Sequence, residues 1–283
     1  MTDSPTFTRV VRVPRTGSTN ADLRDAAAAD PDAWPHLSVL VADHQDAGRG
    51  RAGRSWETPP GQALTASVLL RTAVPADRLG WVPLLAGLAV QRACGRLLPA
   101  GVRTGVKWPN DVLAVDAGAA DVEGWGRDRK VAGILAEVVP GGSWPSAAGD
   151  ASGHAATAVV LGIGLNVAQR ELPVPWAASL RLLGADVDPA TALDLVGEEL
   201  VPLVHAWEAA GGDADAAGLR DQVRAVCATL GLPVRAELPG GAERHGRAVD
   251  LDADGRLLID TGVGVEAVAA GDVRHIRTPP TAR

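Results

Sequence analysis

The sequence predicts an α+β fold, in which a mixed and largely antiparallel sheet with flanking helices precedes a small C-terminal β-barrel. Three observations support this class. Four strand-like segments follow one another between residues 102 and 167, separated by little more than turns and two insertions. Helical spacing of apolar residues marks 78–98 and 189–230. Beyond residue 230 the chain changes to short alternating runs with Gly and Asp turns, which is typical of a small barrel.

The N-terminal elements follow from local chemistry. RVVRV at 9–13 has the β-branched content of a strand, and GSTN at 17–20 offers N-cap side chains before an Ala-rich helix. LSVLVAD at 37–43 and QALTASVLLR at 62–71 are predicted strands. They bracket a glycine-rich loop at 46–55, which therefore lies between two strands of the sheet.

The remaining elements divide the chain in two. A buried helix is predicted over 78–98, and two insertions at 116–128 and 140–156, rich in small residues, are expected to be mobile hairpin ends without chemistry. We predict a catalytic domain at 1–230 and a barrel domain at 231–283. The predicted barrel strands cover 234–238, 247–251, 256–260, 263–269 and 273–277.

Composition excludes several classes of protein. The 283 residues carry a net charge of −7, which argues against broad binding to nucleic acid or to anionic membranes. Two cysteines, Cys94 and Cys227, cannot provide a disulfide framework or a Cys-based zinc site. The sequence has neither a signal peptide nor a run of roughly 20 apolar residues. A cytoplasmic protein that does not contact the membrane is predicted.

Lysine and asparagine are rare in this chain. Only two of its 27 basic residues are lysine, and there are three asparagines. A scarce residue type at a defined place in a motif is a candidate for function. The five positions are Lys107, Lys130, Asn20, Asn110 and Asn166.

The loop DAGRGRAGRSW combines three arginines with flexible backbone. Arg49, Arg51 and Arg54 offer planar, always charged groups suited to phosphate or carboxylate, and glycine permits close approach of the backbone. An exposed basic turn that only aids solubility is the alternative. Trp56 favours an anion site, because an adjacent indole can stack on a nucleobase.

Three further segments carry candidate side chains. In VKWPNDVL, Asn110 could pair with a nucleotide and Asp111 could hold Mg²⁺ or orient a lysine, although the segment could also be only a turn. Lys130 begins an apolar strand, where a compact ammonium is useful, or it simply reaches solvent. The glycines of GIGLNV, beside Asn166, indicate close approach by a ligand or another backbone, or a packing requirement.

Several other sites are excluded. No P-loop, H-E-x-x-H pair or G-x-S-x-G elbow occurs. GVGVEA at 262–267 matches a loose dinucleotide motif, but too few residues follow it for a βαβ unit. Phosphate therefore needs a different site, and the arginine loop is the candidate.

Five motifs in order, GSTN, DHQDAGRGRAGR-x-W, KWPND, RKVAGIL and GIGLNV, resemble the catalytic domain of biotin protein ligases. The resemblance covers 17–167 and implies a sheet similar to that of class II aminoacyl-tRNA synthetases, plus an SH3-like barrel. It also implies a two-step reaction, in which biotin and Mg-ATP give biotinyl-5′-AMP and a lysine of a biotin carboxyl carrier domain then displaces AMP.

The resemblance also implies roles for individual residues. Lys130, Arg49 and Arg51 resemble the catalytic cations, and Arg54 supports them. Nucleotide contacts are implied for Arg51, Arg54, Trp56, Asn110 and Asn166, with Asp111 as a weak candidate for Mg²⁺. The implied biotin-binding residues are Ser18, Thr19, Asn20, Gln45, Arg49, Gly50, Arg51 and Lys130.

Alternatives to this function stay open at the level of sequence. A lipoate or octanoate transferase shares the fold, and a catalytically idle biotin sensor would share the binding residues. Only sixteen residues precede Gly17, so we expect no DNA-binding helix-turn-helix and no DNA partner. A homodimer through an exposed sheet edge is possible. Because residues 234–277 contain no motif residue, we expect them to serve transfer to the carrier more than the biotin pocket.

Overall fold

A seven-stranded sheet forms the larger part of the molecule. The structure is a computed structural model and describes residues 6–118, 120–139, 156–238, 240–269 and 272–275. The strands are β1 (Arg9–Val13), β2 (Ser38–Ala42), β3 (Ala63–Thr72), β4 (Arg103–Lys107), β5 (Asp111–Val115), β6 (Arg129–Val138) and β7 (Thr157–Asn166). Their order is β1-β2-β3-β7-β6-β5-β4, and β1 pairs parallel to β2 while the other neighbours are antiparallel. The predicted mixed, largely antiparallel sheet is confirmed.

Helices cover both faces of this sheet. They are α1 (Thr19–Ala29), α2 (Trp81–Leu97), α3 (Pro189–Ala209) and α4 (Leu219–Val226). Along β3, Val68 and Leu70 pack into the core under α2 and α3, whereas Leu69 packs against the α1 side. All ten residues of β3 are buried, which is why its sequence lacks a polar alternation.

Both predicted helical regions are observed, with a difference in detail at the first. The helix predicted over 78–98 begins at Trp81 after a short 3-10 turn, and Pro83 lies in its first turn, where no backbone hydrogen bond is lost. The helical pattern at 189–230 corresponds to two helices, α3 and α4. Gly211 and Gly212 adopt positive φ angles just after α3, and Gly218, also with positive φ, is the residue before α4.

A second, five-stranded antiparallel sheet follows α4 and has the character of an SH3-like domain. It comprises β8 (Pro233–Glu237), β9 (Glu243–Leu251), β10 (Leu257–Asp260), β11 (Val265–Val268) and β12 (Asp272–His275), in the order β11-β10-β9-β8-β12. Its apolar residues join the same buried core as α2 and α3. Trp81 Nε1 donates to Ala253 O (2.7 Å) and Trp108 Nε1 to Gly255 O (3.0 Å), which fixes the sheet against the larger one.

The structure describes the first of the two predicted insertions but not most of the second. Most of the second, 140–156, lies outside the described residues. The first, 116–128, forms a compact turn, since Val122 and Gly126 pair and Arg129 donates to the carbonyls of Gly126 and Ala120. No helix in the described part of the chain is long and apolar enough to cross a membrane.

Candidate active site

One cavity of about 1240 Å³ collects every site residue predicted from the sequence. These residues come from the five motifs, which are spread along the chain from the start of α1 to the end of β7. The cavity is lined by Ser18, Thr19, Asn20, Gln45, Arg49, Gly50, Arg51, Arg54, Trp56, Asn110, Asp111, Lys130 and Asn166, among others. The motifs therefore meet in space, as a shared function requires.

One end of the cavity consists of amide and hydroxyl groups bonded to one another. Gln45 Oε1 accepts hydrogen bonds from the backbone N–H of Thr19 (2.8 Å) and from its hydroxyl (3.0 Å). Ser67 Oγ lies 2.8 Å from Thr19 Oγ1 and 2.6 Å from Asn20 Oδ1. Ser67 was missed in the sequence, because a serine within a strand carries no motif. These mutual contacts fix the side chains before any ligand binds.

Asn20 is the centre of this end. Its Nδ2 donates to Glu137 Oε2 (2.8 Å) and Leu135 O (3.2 Å) on β6. Gly162 on β7 makes room for it, since a Cβ there would lie 2.4 Å from Asn20 Oδ1. Ser18 precedes α1 as its N-cap residue, is buried and lines the cavity without capping the helix through its side chain.

Lys130 and Asp111 form an ion pair at the middle of the cavity. Lys130 Nζ lies 2.6 Å from Asp111 Oδ1, and both side chains are mostly buried. Burial alone raises the pKa of Asp111, but the positive charges of Lys130, Lys107 and Arg54 outweigh it, so the net pKa is lowered. Asp111 is therefore ionised and orients Lys130, which is one of the two roles that the sequence allowed.

Trp56 lies on a floor made by two glycines that face each other across β6 and β7. Gly133 pairs with Gly164, and a Cβ on Gly164 would lie 2.5 Å from the indole. The Lys130 ammonium is 5.6 Å from the Trp56 ring centroid. The glycines of GIGLNV thus accommodate two side chains, Asn20 and Trp56, so the packing explanation applies in this structure.

The arginine loop is a small hairpin above the cavity. Trp56 N–H donates to Gly48 O (2.8 Å) and Gly50 N–H to Arg54 O (2.6 Å). Gly48 is required, because a Cβ there would lie 2.3 Å from Trp56 O. The Arg49 side chain is about half exposed and forms a 3.7 Å ion pair with Glu137. The arginines therefore lie at the rim, and ordering of the loop by ligand stays a prediction.

The two predicted nucleotide amides already make internal hydrogen bonds. Asn110 Nδ2 donates to Ile134 O (2.7 Å). Asn166 Nδ2 donates to Ala178 O (3.1 Å), and its Oδ1 accepts from Gln169 Nε2 (3.1 Å). Both residues line the cavity, but these bonds show that they also hold neighbouring segments in place.

The cavity wall includes residues that sequence reasoning missed. Lys107 was noted for its rarity and given no role. Trp125 belongs to the first insertion, which was expected to carry no chemistry, and Trp176 lies outside the motifs. The second sheet contributes Arg235, His245, Val273, Arg274 and His275. Only the tertiary fold brings these positions to the cavity.

The second sheet also contacts the KWPND turn directly. Thr229 Oγ1 accepts the Trp108 backbone N–H (3.0 Å) and lies 3.2 Å from His275 Nε2, with Thr229 and His275 both buried. Trp108 follows Lys107 and precedes the residues of the Asp111 turn. That this sheet serves transfer to the carrier more than the biotin pocket stays a prediction, and these contacts show that it also supports the KWPND turn.

A protein-only metal site is absent from the described part of the chain. No group of three or more His, Cys, Asp or Glu side chains is close enough to bind a metal ion there. Magnesium bound with a nucleotide commonly takes one or two carboxylates and several phosphate oxygens. Asp111 offers a single carboxylate of this kind, already engaged by Lys130.

Comparison with known proteins adds family membership to this geometry. Residues 13–145 match the biotin/lipoate A/B protein ligase family, and residues 229–275 match the biotin protein ligase C-terminal domain. The chain is 41% identical over 271 residues to the biotin–[acetyl-CoA-carboxylase] ligase of Mycobacterium tuberculosis, covering 94% of this chain and 88% of that protein. The chain belongs to the biotin protein ligase family.

Two further matches agree with this membership. The biotin–[acetyl-CoA-carboxylase] ligase of Paracoccus denitrificans is 32% identical over 267 residues, covering 92% of this chain and 97% of that protein. The structure of the Aquifex aeolicus biotin protein ligase in complex with biotin and ATP superposes with a TM-score of 0.70 at 26% identity, covering 96% of this chain and all of that one. The predicted fold class is thereby confirmed across both sheets.

Proposed function

We propose that this protein is an ATP-dependent ligase that activates biotin as biotinyl-5′-AMP and transfers it to a lysine of a biotin carboxyl carrier domain. The observation that carries the proposal is the convergence of the motif residues on one cavity, with a polar end, a central lysine and a rim of arginines. The relatives named above support the substrate assignment. Residues 1–230 would catalyse the reaction, with 231–283 as an accessory domain.

The polar end suits the ureido ring of biotin. A cyclic urea offers two N–H donors and one carbonyl acceptor, and Gln45, Thr19 and Asn20 present fixed amide and hydroxyl groups to such a ring. Ser18 and Gly50 complete this part of the wall. Because these groups are already ordered by one another, binding biotin costs little additional side-chain entropy.

Lys130 would stabilise the first step. As a biotin carboxylate oxygen attacks the α-phosphorus of ATP, the bond to pyrophosphate breaks and negative charge accumulates on the α-phosphate oxygens and the leaving pyrophosphate. An ammonium held by Asp111 is already in place to stabilise this charge. Arg49, Arg51 and Arg54 would close over the same anions from the rim. Trp56 and the amides of Asn110 and Asn166 border the space left for the nucleotide.

Magnesium would enter with the ATP phosphates. It would neutralise phosphate charge, and Asp111 is the carboxylate beside Lys130 that could approach it. In the second step the amine of the carrier lysine attacks the carbonyl of the mixed anhydride, an amide bond forms, and AMP leaves. Closure of the arginine loop would keep water from this anhydride until then.

The decisive experiment is biotin-dependent exchange of labelled pyrophosphate into ATP. The proposal expects exchange with biotin and none with lipoate or octanoate. Exchange that follows lipoate or octanoate instead would show that the protein activates one of those acids rather than biotin. Biotin binding without exchange would identify a biotin sensor. Incorporation of biotin into a purified carrier domain then tests the second step.

A further inference from the structure

The first insertion places a tryptophan on the wall of the cavity. Val122, Glu123, Gly124 and Trp125 all line it, although nothing in the sequence motifs assigns them a role. We propose that Trp125 is a nucleobase-binding residue, whose indole face receives the base of the bound nucleotide in exchange for the Lys107 ammonium. This inference rests on the proposed function, because it names the nucleotide as the ligand of the same cavity.

The insertion is built to hold the indole in place. Val122 and Gly126 close its turn with two backbone hydrogen bonds of 2.8 and 2.7 Å. The buried Arg129 guanidinium donates to Gly126 O (3.0 Å), Asp128 O (2.8 Å) and Ala120 O (2.6 Å). Arg129 immediately precedes Lys130, so the turn that carries Trp125 is attached to the strand that carries the central lysine.

A second tryptophan extends the aromatic surface. The rings of Trp125 and Trp176 are nearly parallel, with an interplanar angle of 7° and centroids 6.2 Å apart. Trp176 O accepts the Lys130 backbone N–H at 2.7 Å, which ties this ring to the same strand. Both residues are only partly buried and line the cavity. Flat apolar surface of this kind is suited to an aromatic ligand.

The Lys107 ammonium lies over the Trp125 indole. Its Nζ lies 4.5 Å from the Trp125 ring centroid, which is a cation–π contact. Stacking of a nucleobase on an aromatic side chain is at least as strong as a cation–π contact at a partly exposed site. The exchange of ammonium for base on this ring is therefore close to neutral or favourable. The displaced ammonium then gains a phosphate partner on the same nucleotide.

The charges around the ring favour a nucleotide over the other ligands of the reaction. The Lys107 ammonium lies over the ring and attracts an anion, while the Glu123 carboxylate of the same turn opposes this attraction. The nearby Lys130 is already paired with Asp111. Biotin has no aromatic ring and finds its polar partners at the other end, beside Gln45 and Asn20. A ligand that is both aromatic and multiply anionic fits both features.

The test compares Trp125→Ala and Trp125→Phe with the parent enzyme. In pyrophosphate exchange, Trp125→Ala should raise the KM for ATP about 10-fold, as loss of one base stack predicts, with biotin affinity unchanged. Trp125→Phe should recover most of this loss. Trp34→Phe is the matched control, because Trp34 also carries a cation over its ring, at 4.6 Å from Arg9, but packs in the α1 core away from the cavity.

A polyphosphate without a nucleobase can tell whether Trp125 contacts the base or only supports the structure. Inorganic tripolyphosphate should inhibit Trp125→Ala at least as well as the parent, because Lys107 no longer rests on an indole. Equal loss of ATP and tripolyphosphate affinity would instead make Trp125 a structural residue and overturn the proposal. An unchanged ATP affinity with a raised KM for the carrier would also overturn it, in favour of a carrier contact.

The inference can fail independently of the proposed function. If the parent enzyme exchanged no pyrophosphate, the ligase assignment would fall, but direct calorimetry of ATP binding to the parent and Trp125→Ala would still decide the role of Trp125. A roughly 10-fold weaker binding of ATP to the variant supports the base contact. Identical binding contradicts it.

Discussion

Strand β3 carries one polar cluster at its middle, around Ser67, and a second at its C-terminal end, around Arg71 and Thr72. The two clusters differ in how well their polar atoms are bonded. The cavity cluster consists of Thr19, Asn20, Gln45, Ser67 and Glu137. The far cluster consists of His36, Arg71, Thr72, His205 and Glu208. In the cavity cluster, each amide or hydroxyl has a defined hydrogen-bond partner, and the cluster borders the cavity. In the far cluster, the pKa values of the buried His36 and Glu208 are shifted.

The far cluster is incompletely paired. His36 Nδ1 accepts the Arg71 backbone N–H (3.0 Å), while its Nε2 lies 3.5 Å from Glu208 Oε2. His36 Nε2 and Glu208 Oε1 are buried without a hydrogen-bond partner among the residues that the structure describes. Burial, with the nearby His205 and Arg71, lowers the pKa of His36 to about 4, and burial raises the pKa of Glu208 to about 7.

We infer that the cavity cluster serves ligand recognition, whereas the far cluster affects the stability of the fold. Polar groups that satisfy one another beside a cavity can exchange part of their bonding for a ligand at small cost, whereas poorly paired buried groups mainly reduce stability. We therefore expect changes in the cavity to alter activity at nearly constant stability. Changes in the far cluster should alter stability and its pH dependence at nearly constant activity.

The largest effect should come from Lys130→Gln. Loss of the ammonium removes a group positioned for charge in the transition state, so biotin-dependent pyrophosphate exchange should fall by roughly 10²-fold or more. Lys130→Arg should recover little, because the guanidinium is wider and cannot repeat the 2.6 Å contact to Asp111 in the same space. Near-normal exchange in either variant would remove Lys130 from the mechanism.

Gly162→Ala tests whether the biotin end of the cavity, beside Asn20, is separate from the nucleotide end, beside Trp56. The new Cβ would meet Asn20 Oδ1 at 2.4 Å and displace it, and losing one or two buried hydrogen bonds should weaken biotin binding by about 10-fold or more. Gly164→Ala is the matched control, since its Cβ would meet Trp56 at 2.5 Å. It should affect the KM for ATP more than biotin affinity. Equal effects on both ligands would contradict two separate ends.

The far cluster predicts a pH dependence with opposing contributions. The pKa of Glu208 is about 7 in the folded protein and near 4.5 in the unfolded chain. Its contribution to the stability of the fold is therefore full below about pH 4.5 and is lost as pH rises to about 7. The pKa of His36 is about 4 in the folded protein and near 6.5 in the unfolded chain. Its contribution to stability is full above about pH 6.5 and is lost as pH falls to about 4. The two slopes oppose each other in the parent protein.

Glu208→Gln should expose the histidine contribution. Urea unfolding of the variant should show stability rising between about pH 4 and pH 6.5, and at pH 7.5 the variant should exceed the parent by on the order of 2 kcal/mol. Pyrophosphate exchange should stay within about twofold of the parent, because the far cluster does not line the cavity. A flat pH profile in the variant, or a large loss of exchange, would break the separation of the two clusters.

Arg51→Gly should have the smallest effect on the first step. If Arg51 holds the adenylate phosphate under a closed loop, the variant should still activate biotin but release biotinyl-5′-AMP faster, since retention depends on the off-rate. The released anhydride should label serum albumin several-fold faster than the parent at matched rates of adenylate formation. Equal labelling would move this role to Arg49 or to the loop backbone.

Local sequence was sufficient for most elements and for the residues of the site. Strand and helix patterns report backbone geometry over a few residues, so β1 through β7 lie where they were predicted. Lys130, Asp111 and the arginine loop were identified from rare residue types and turn chemistry. The helical run at 189–230 is also observed, as α3 and α4, with Gly211 and Gly212 directly after the first of these helices.

Only the tertiary structure decided which side chains meet. Gly133 faces Gly164 because of the register between β6 and β7, and a shift of one residue would turn both away from Trp56. Ser67 and Glu137 reach Asn20, at the polar end of the cavity, through strand pairing, and Trp125 reaches the cavity wall through a turn held by Arg129. His275 arrives at the same wall from the second sheet. Residue type fixes the chemistry available to a chain, but register and packing fix the distances at which that chemistry acts.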